Sequence, residues 1–185
     1  MRKYSIISIT LILLCYELFS FFIRKPLIIP SLSSILVEIL MIMRDESFIE
    51  IIFMTVRQTL ITFSLILLLG LVTGILSGYS NRIEVLLKPI ITLLRTIPTI
   101  SLIMILLIWF GRDLGPIVMV GLVIFPILYE IVLGSIKRVE NDLKDVCVLF
   151  GCTEFEKFRA LYYPNLIYSL SSGIQATLGL AFKVG

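Results

Sequence analysis

The stretch Glu140–Pro164, ENDLKDVCVLFGCTEFEKFRALYYP, decides the fold. It is the longest polar interval in the second half of the chain, set between two apolar runs long enough to cross a bilayer. Val139, Leu143, Val146 and Phe150 recur at helical spacing, with Glu140, Asp142, Lys144 and Asp145 between them. Thr153 and Glu156 form a T-x-x-E capping box that starts a second helix. Phe155, Phe158 and Leu161 or Tyr162 mark its apolar side, and Pro164 ends the unit or opens the next helix. Gly151 suits the turn, because a left-handed C-cap costs glycine nothing at Cβ. The reading is two short amphipathic helices at a sharp angle, held at a membrane surface.

The rest of the composition agrees. Of 185 residues, 58% are hydrophobic and 16% charged, against about 45–50% and about 25% in soluble domains. Mean hydropathy is +1.07. This predicts an all-α integral membrane protein with one polytopic helical bundle. The net charge of +3 follows from basic loops on the cytoplasmic side and calls for no nucleic acid. The chain has no histidine, hence neither the commonest acid–base catalyst nor the commonest metal ligand. Cys147 and Cys152 without histidine make a poor zinc site, and with Cys15 they read as small apolar residues. No metal or cofactor is expected in the chain.

From the N-terminus, Ser5 to Ile23 reads as a retained first span, since Arg24-Lys25-Pro26 follows in place of a small-x-small cleavage site. Glu17 sits near its outer end. Ser33 to Met43 reads as a short helix at the outer surface. Residues 1–54 thus form an N-terminal span with an outer loop, and 55–185 the main membrane domain. Thr55 to Tyr79 is the second span. Its Gly70, Gly74 and Gly78 share one face, which predicts close packing within the subunit. Asn81 to Arg95 is an interfacial amphipathic helix or the polar start of a longer span, broken or kinked at Pro98. Ile97 to Phe110 is a short third span and Gly111-Arg112-Asp113 a tight outer turn. Leu114 to Ile136 is the fourth span, with Pro126 inside it. Glu130, four residues on, is either a functional intramembrane carboxylate or a structural partner of Lys137. Asn165 to Gly185 begins a fifth span whose Ser172 and Thr177 suit helix contact or a water-lined path.

With the N-terminus in the cytoplasm, Arg2, Lys3, Arg82, Lys88, Lys137, Arg138, Lys144, Lys157 and Arg159 fall inside. In the outer loops only Arg24, Lys25, Arg44 and Arg112 fall outside, which is the expected asymmetry.

The opening stretch resembles the cytoplasmic loop of ABC importer permeases, with its pattern E-A-A-x3-G-x9-I-x-L-P. Asp145-Val146-Cys147, Gly151, Leu161, Tyr163 and Pro164 hold every interval. Asp145 replaces Glu, Tyr163 replaces Leu, and both alanines are lost. Trp109-Phe110-Gly111, Phe125-Pro126-Ile127-Leu128 before Gly134, and the ending G-x5-GLAFKVG resemble the nitrate/sulfonate/taurine-type branch. The resemblance implies a multi-pass inner-membrane permease working as a dimer, with two cytoplasmic ATPase subunits and an extracytoplasmic solute-binding protein. ATP and Mg would then reside in the ATPase partner. It also implies a sixth span, missing here, so the domain is expected to be incomplete after its five spans.

In that reading 137–164 is the coupling loop. Asp145, Phe150, Gly151, Cys152, Thr153, Phe155, Phe158, Leu161 and Pro164 are its candidate contacts with the ATPase. Glu130, Ser172 and Thr177 are candidates for the solute path. The solute expected is small: a sulfonate, nitrate, taurine or thiamine-precursor-like molecule. The alternative is an ion- or proton-coupled carrier using Glu17 or Glu130, although no internal repeat supports it. A membrane-embedded enzyme ranks last, because no HExxH, GxSxG or Walker A pattern occurs.

Overall fold

The computed structural model describes residues 2–23 and 25–184, without the side chains of Arg2, Lys3 and Ser5. The sidedness read for Arg2, Lys3 and Arg24, and the expected end of the fifth span at Gly185, lie outside the described residues. The described chain is helical throughout, with no strand, and divides into two compact units, Met1–Phe53 and Met54–Gly185.

In the first unit, α1 (Arg2–Ile23) and α2 (Leu32–Arg44) are joined by a loop that three α1 side chains hold. The Tyr16 hydroxyl donates to Pro30 O at 2.9 Å and the Ser20 hydroxyl to Ile29 O at 3.1 Å. The Glu17 carboxylate accepts from Leu32 N at 2.9 Å, at the N-terminus of α2. A helix start favours negative charge, so Glu17 has a structural partner. Ser31 caps α2 by accepting from Ser34 N, and the expected short helix is one residue longer at each end.

The main unit is built on α3 (Phe48–Tyr79) from Met54 onward, α4 (Asn81–Thr96) and α5 (Thr99–Lys137). α3 begins seven residues before the expected Thr55. α4 is a helix of its own. Ile97 is extended, as the residue before a proline prefers, and Pro98 starts the next helix. α5 is interrupted at Gly111, with φ 69° and ψ −169°, a conformation open to glycine. Its second arm turns back on the first, and Gly115 lies against the Leu106 carbonyl and Leu107. The expected Gly-Arg-Asp turn is therefore real, and arms 99–110 and 112–137 stand for the third and fourth crossings.

Among the described residues, three helices are long and apolar enough to cross a bilayer: α1 over Ile6–Ile23, α3, and the bent α5. α8 (Tyr163–Val184), with Asn165, three serines, Gln175 and Thr177, is more polar and holds the place of the fifth crossing.

The core forms where α3, the second arm of α5 and α8 meet. Phe63 and Ile66 pack with Val120, Ile124, Leu128 and Ala181. Beside them the glycine face of α3 closes on α5. A Cβ on Gly70 would fall 2.9 Å from Leu128 Cβ, on Gly74 2.7 Å from Val132 Cβ, and on Gly78 2.7 Å from Ile136 Cγ2. Both series ascend in steps of four, so α3 and this arm run in the same direction. The chain between them must return, and α4 with the first arm of α5 does so. The close packing read from the three glycines is thus an intrachain contact.

Candidate functional site: the elbow at Gly151

The elbow follows Lys137 directly. α6 (Asn141–Leu149) ends in a Schellman turn: Cys152 N–H donates to Cys147 O at 2.9 Å and Gly151 N–H to Val148 O at 3.1 Å. Gly151 has φ 69°. The next helix, α7 (Glu154–Lys157), opens on the expected capping box. Glu156 N–H donates to Thr153 Oγ1 at 3.3 Å, and Thr153 N–H donates to Glu156 Oε2 at 2.8 Å. Those bonds from the Thr153 backbone and hydroxyl hold the Glu156 carboxyl below its ordinary pKa.

Beyond α7 the structure corrects the sequence reading. The second helix is no separate short element. It passes through a single π turn, Phe158–Tyr162, into α8, with Tyr163 N–H bonded to Phe158 O. The wide turn falls just before Pro164, where the α ladder lacks a donor in any case. Pro164 therefore opens α8, and the elbow is stiffly joined to a long helix. Its hinge is confined to 150–153.

The side chains divide by direction. Tyr162 is buried with Ile136 and Val139, and Phe158, Leu161 and Ile75 pack against them; Tyr79 packs on Tyr162 with the rings tilted and their centroids 5.2 Å apart. Phe158 and Leu161 thus anchor the elbow to the bundle. On α6 the inward residue is Cys147, a position hydrophobicity alone did not single out. Leu143, Val146, Leu149 and Phe150 face out, Phe150 at 84% exposure, and Phe155 follows at 71%. Asp145, Gly151, Thr153 and Pro164 are exposed and Cys152 partly so. The elbow therefore presents an uncovered apolar stripe on a braced turn.

Glu130, Ser172 and Thr177 are not gathered into one site. Glu130 pairs with Arg95 of α4, and Lys137 pairs with Glu84. This corrects the expected Glu130–Lys137 pairing. α4 lies alongside α5 and offers each of these groups an opposite charge nearer than its neighbour two turns away on the same helix. Glu130 lines a cleft of about 220 Å³ with Glu84, Lys88 and Thr92, where the Tyr129 hydroxyl is buried without a hydrogen-bond partner. Ser172 lines a different cleft with Arg138, Tyr168 and Ser169. Thr177 is buried, its hydroxyl donating to Gly173 O at 2.7 Å.

A further polar cleft of about 170 Å³, lined by Thr55, Gln58, Thr59, Thr62 and Arg112, lies at the Gly111 end. The sequence reading missed it, although the 55, 58, 59, 62 spacing of polar residues on one helix face was the available signal.

The two α4–α5 ion pairs give a direct test. Reversing Glu84 to Lys or Lys137 to Glu should each lower the unfolding temperature, and the double reversal should recover it. Both pairs are partly exposed, so the coupling energy should be about 0.2–1 kcal/mol. A double-mutant cycle on thermal unfolding in detergent measures it, and strictly additive single effects would mean that the Glu84–Lys137 pair contributes nothing to stability.

Residues 66–183 match the family of binding-protein-dependent transport system inner membrane components. SsuC of Bacillus subtilis, by name an aliphatic sulfonates transport permease protein, is 30% identical over 62% of this chain and 42% of its own length. The formylaminopyrimidine transport permease protein ThiX of Halalkalibacterium halodurans is 27% identical over 97% of the chain and 74% of its own length. The taurine transport system permease protein TauC of Escherichia coli is 22% identical over 86% and 60%. The chain thus spans less than half of SsuC and about three quarters of ThiX. The match takes in the glycine face of α3 from Gly70, the Gly111 bend and the whole elbow, and the chain belongs to the family of binding-protein-dependent transport system inner membrane components.

Proposed function

We propose that the chain is the membrane-spanning permease subunit of an ATP-driven importer that moves a small solute of the sulfonate, nitrate or thiamine-precursor kind by alternating access. The observation that carries this is the uncovered apolar stripe of the elbow. Leu143, Val146, Leu149 and Phe150 lie on one face of a short helix, which is the form of a helix that docks into a groove. Gly151 and the capping box fix its angle. Phe158 and Leu161 pass its displacement to α5 and α8. The occupant of the groove role is a cytoplasmic ATPase subunit, one on each of two permease copies, with the N-terminus and the elbow on the cytoplasmic face and a solute-binding protein on the other. The names of SsuC, ThiX and TauC refer to aliphatic sulfonates, formylaminopyrimidine and taurine, which supports the sulfonate and pyrimidine-precursor part of this range.

The proton-coupled alternative loses support because Glu17 and Glu130 each have a structural partner. The test is capture of the full chain from native membranes in mild detergent. It should bring down a subunit identified by mass spectrometry as an ATP hydrolase, with ATPase activity. The double substitution Phe150→Asp and Phe155→Asp should lose that subunit while still inserting. If no hydrolase accompanies the chain, or if the double variant retains it, the reading fails.

A further inference from the structure

Three places in the molecule carry chemistry that the transport reading does not use: the cleft with the unpartnered Tyr129 hydroxyl, the polar cleft at the Gly111 end, and the two cysteines of the elbow. The cysteines carry an inference furthest. Cys147 and Cys152 occupy the two positions of a Schellman turn whose side chains meet, and the backbone bond between them measures 2.9 Å. Given the standard Cα–C, C=O and N–Cα bond lengths, that bond holds the two α-carbons within about 7 Å of each other. This is the reach of a disulfide. Cys147 is the first cause of a raised Cys152 pKa, which makes the two side chains near neighbours on the turn. Cys147 is buried and Cys152 partly exposed, and both are free thiols. The third cysteine, Cys15, lies on α1.

We propose that Cys147 and Cys152 form a modification site, a paired thiol that closes to an intramolecular disulfide across Gly151 when it meets a small disulfide of the glutathione class. The partly exposed Cys152 thiolate attacks one sulfur of that disulfide, forms a mixed disulfide and releases one small thiol. The Cys147 thiolate then attacks the Cys152 Sγ and releases the second. Two protein thiols are oxidised by two electrons, one small disulfide is reduced to two thiols, and the two protons leave with them. The buried partner is the resolving thiol because only Cys152 is reachable by a bulky reagent.

The Cys152 thiol is held above its ordinary pKa, first by its hydrogen bond to Cys147 and then by burial and the nearby Cys147 and Glu156 charges. Little thiolate exists at neutral pH, so the site is slow there, and its rate rises by about tenfold per pH unit while the thiol remains protonated. The bridge braces the turn that sets the angle of the apolar stripe. Its effect on ATP hydrolysis rests on the transport reading; its formation does not.

The test uses the full chain in nanodiscs, carrying Cys15→Ser, treated with oxidised glutathione between pH 7 and 8.5. Expected are loss of both remaining thiols, a closed 147–152 loop in the peptide map, reversal by dithiothreitol, and the pH-dependent rate. Cys147→Ser should trap a stable glutathione adduct on Cys152. A persistent adduct in the paired protein, or bridges between chains in place of the loop, overturns the site. In the assembled complex the bridged form should keep solute-stimulated ATP hydrolysis and hold it to a higher temperature than the reduced form, because the bridge holds the angle that coupling uses. A closed loop that abolishes hydrolysis or leaves its temperature limit unchanged overturns the bracing role, whereas a complex that never hydrolyses ATP in either form, with the loop closing normally, counts against the transport reading alone.

Discussion

Gly151→Val should abolish solute-stimulated ATP hydrolysis in the assembled transporter while leaving membrane insertion and helix content unchanged. The cause is the backbone alone. Gly151 sits at φ 69°, where an L-residue costs about 1–2 kcal/mol and a β-branched one more. A Cβ there would meet nothing within 4 Å, so no clash contributes. The chain escapes the strain by rotating Gly151 toward negative φ. That rotation breaks the Cys152–Cys147 bond and swings Phe150 and the rest of α6 away from Phe155.

A strain mechanism predicts an order. Asn, which tolerates the left-handed region, should keep most of the coupling; Ala should be intermediate; Val should have none. A steric mechanism would instead rank the three by size. Hydrolysis with and without solute, measured beside far-UV circular dichroism, separates the two. Full coupling in the valine variant would show that the elbow angle transmits nothing.

The elbow was legible because its determinants are local. Gly151, Thr153 and Glu156 act within six residues, and the chain needs no partner to choose that turn. The Gly111 bend and the Gly70–Gly74–Gly78 face were legible for the same reason: each needs only a missing Cβ at a regular place. The Glu130 partner was not legible. Lys137 is two turns away on the same helix, whereas Arg95 is 35 residues distant in sequence, and only the return of α4 beside α5 brings it near. The inward side of α6 was hidden for a different reason. The helical spacing marked Leu143, Val146 and Phe150 as the apolar side of α6 without saying which side packs on the bundle, and in the structure they face out. Cys147, small and unremarkable in the pattern, takes the inward place. The π turn escaped because Pro164 reads equally well as a stop or as a start.

Gly74→Leu should be the most destabilising single change in the bundle, and the reason is the partner it faces. A Cβ at position 74 lies 2.7 Å from both Cβ and Cγ1 of Val132 and 3.1 Å from the Tyr129 carbonyl oxygen. Val132 is fully buried and β-branched, so its rotamer offers little relief, and the carbonyl belongs to a helix backbone. Overpacking by a methylene or two already costs about 1–3 kcal/mol. A leucine adds a whole side chain at a helix–helix contact where no atom can yield, so α3 and α5 must separate. Phe63, Ile66, Ile124 and Leu128 then lose their mutual packing. Gly179 supplies the control, since a Cβ there meets nothing within 4 Å. Gly179→Ala should be neutral or stabilising by about 0.5–1 kcal/mol, the intrinsic gain of alanine in a helix. Val132→Ala should partly rescue Gly74→Leu, because it removes Cγ1, one of the two Val132 atoms that collide, and leaves Cβ. Thermal unfolding of the purified chain in detergent reads all three. A leucine variant that melts with the wild type would mean that α3 does not approach α5 through its glycines, and the path from the elbow into the bundle would have to run through α8 alone.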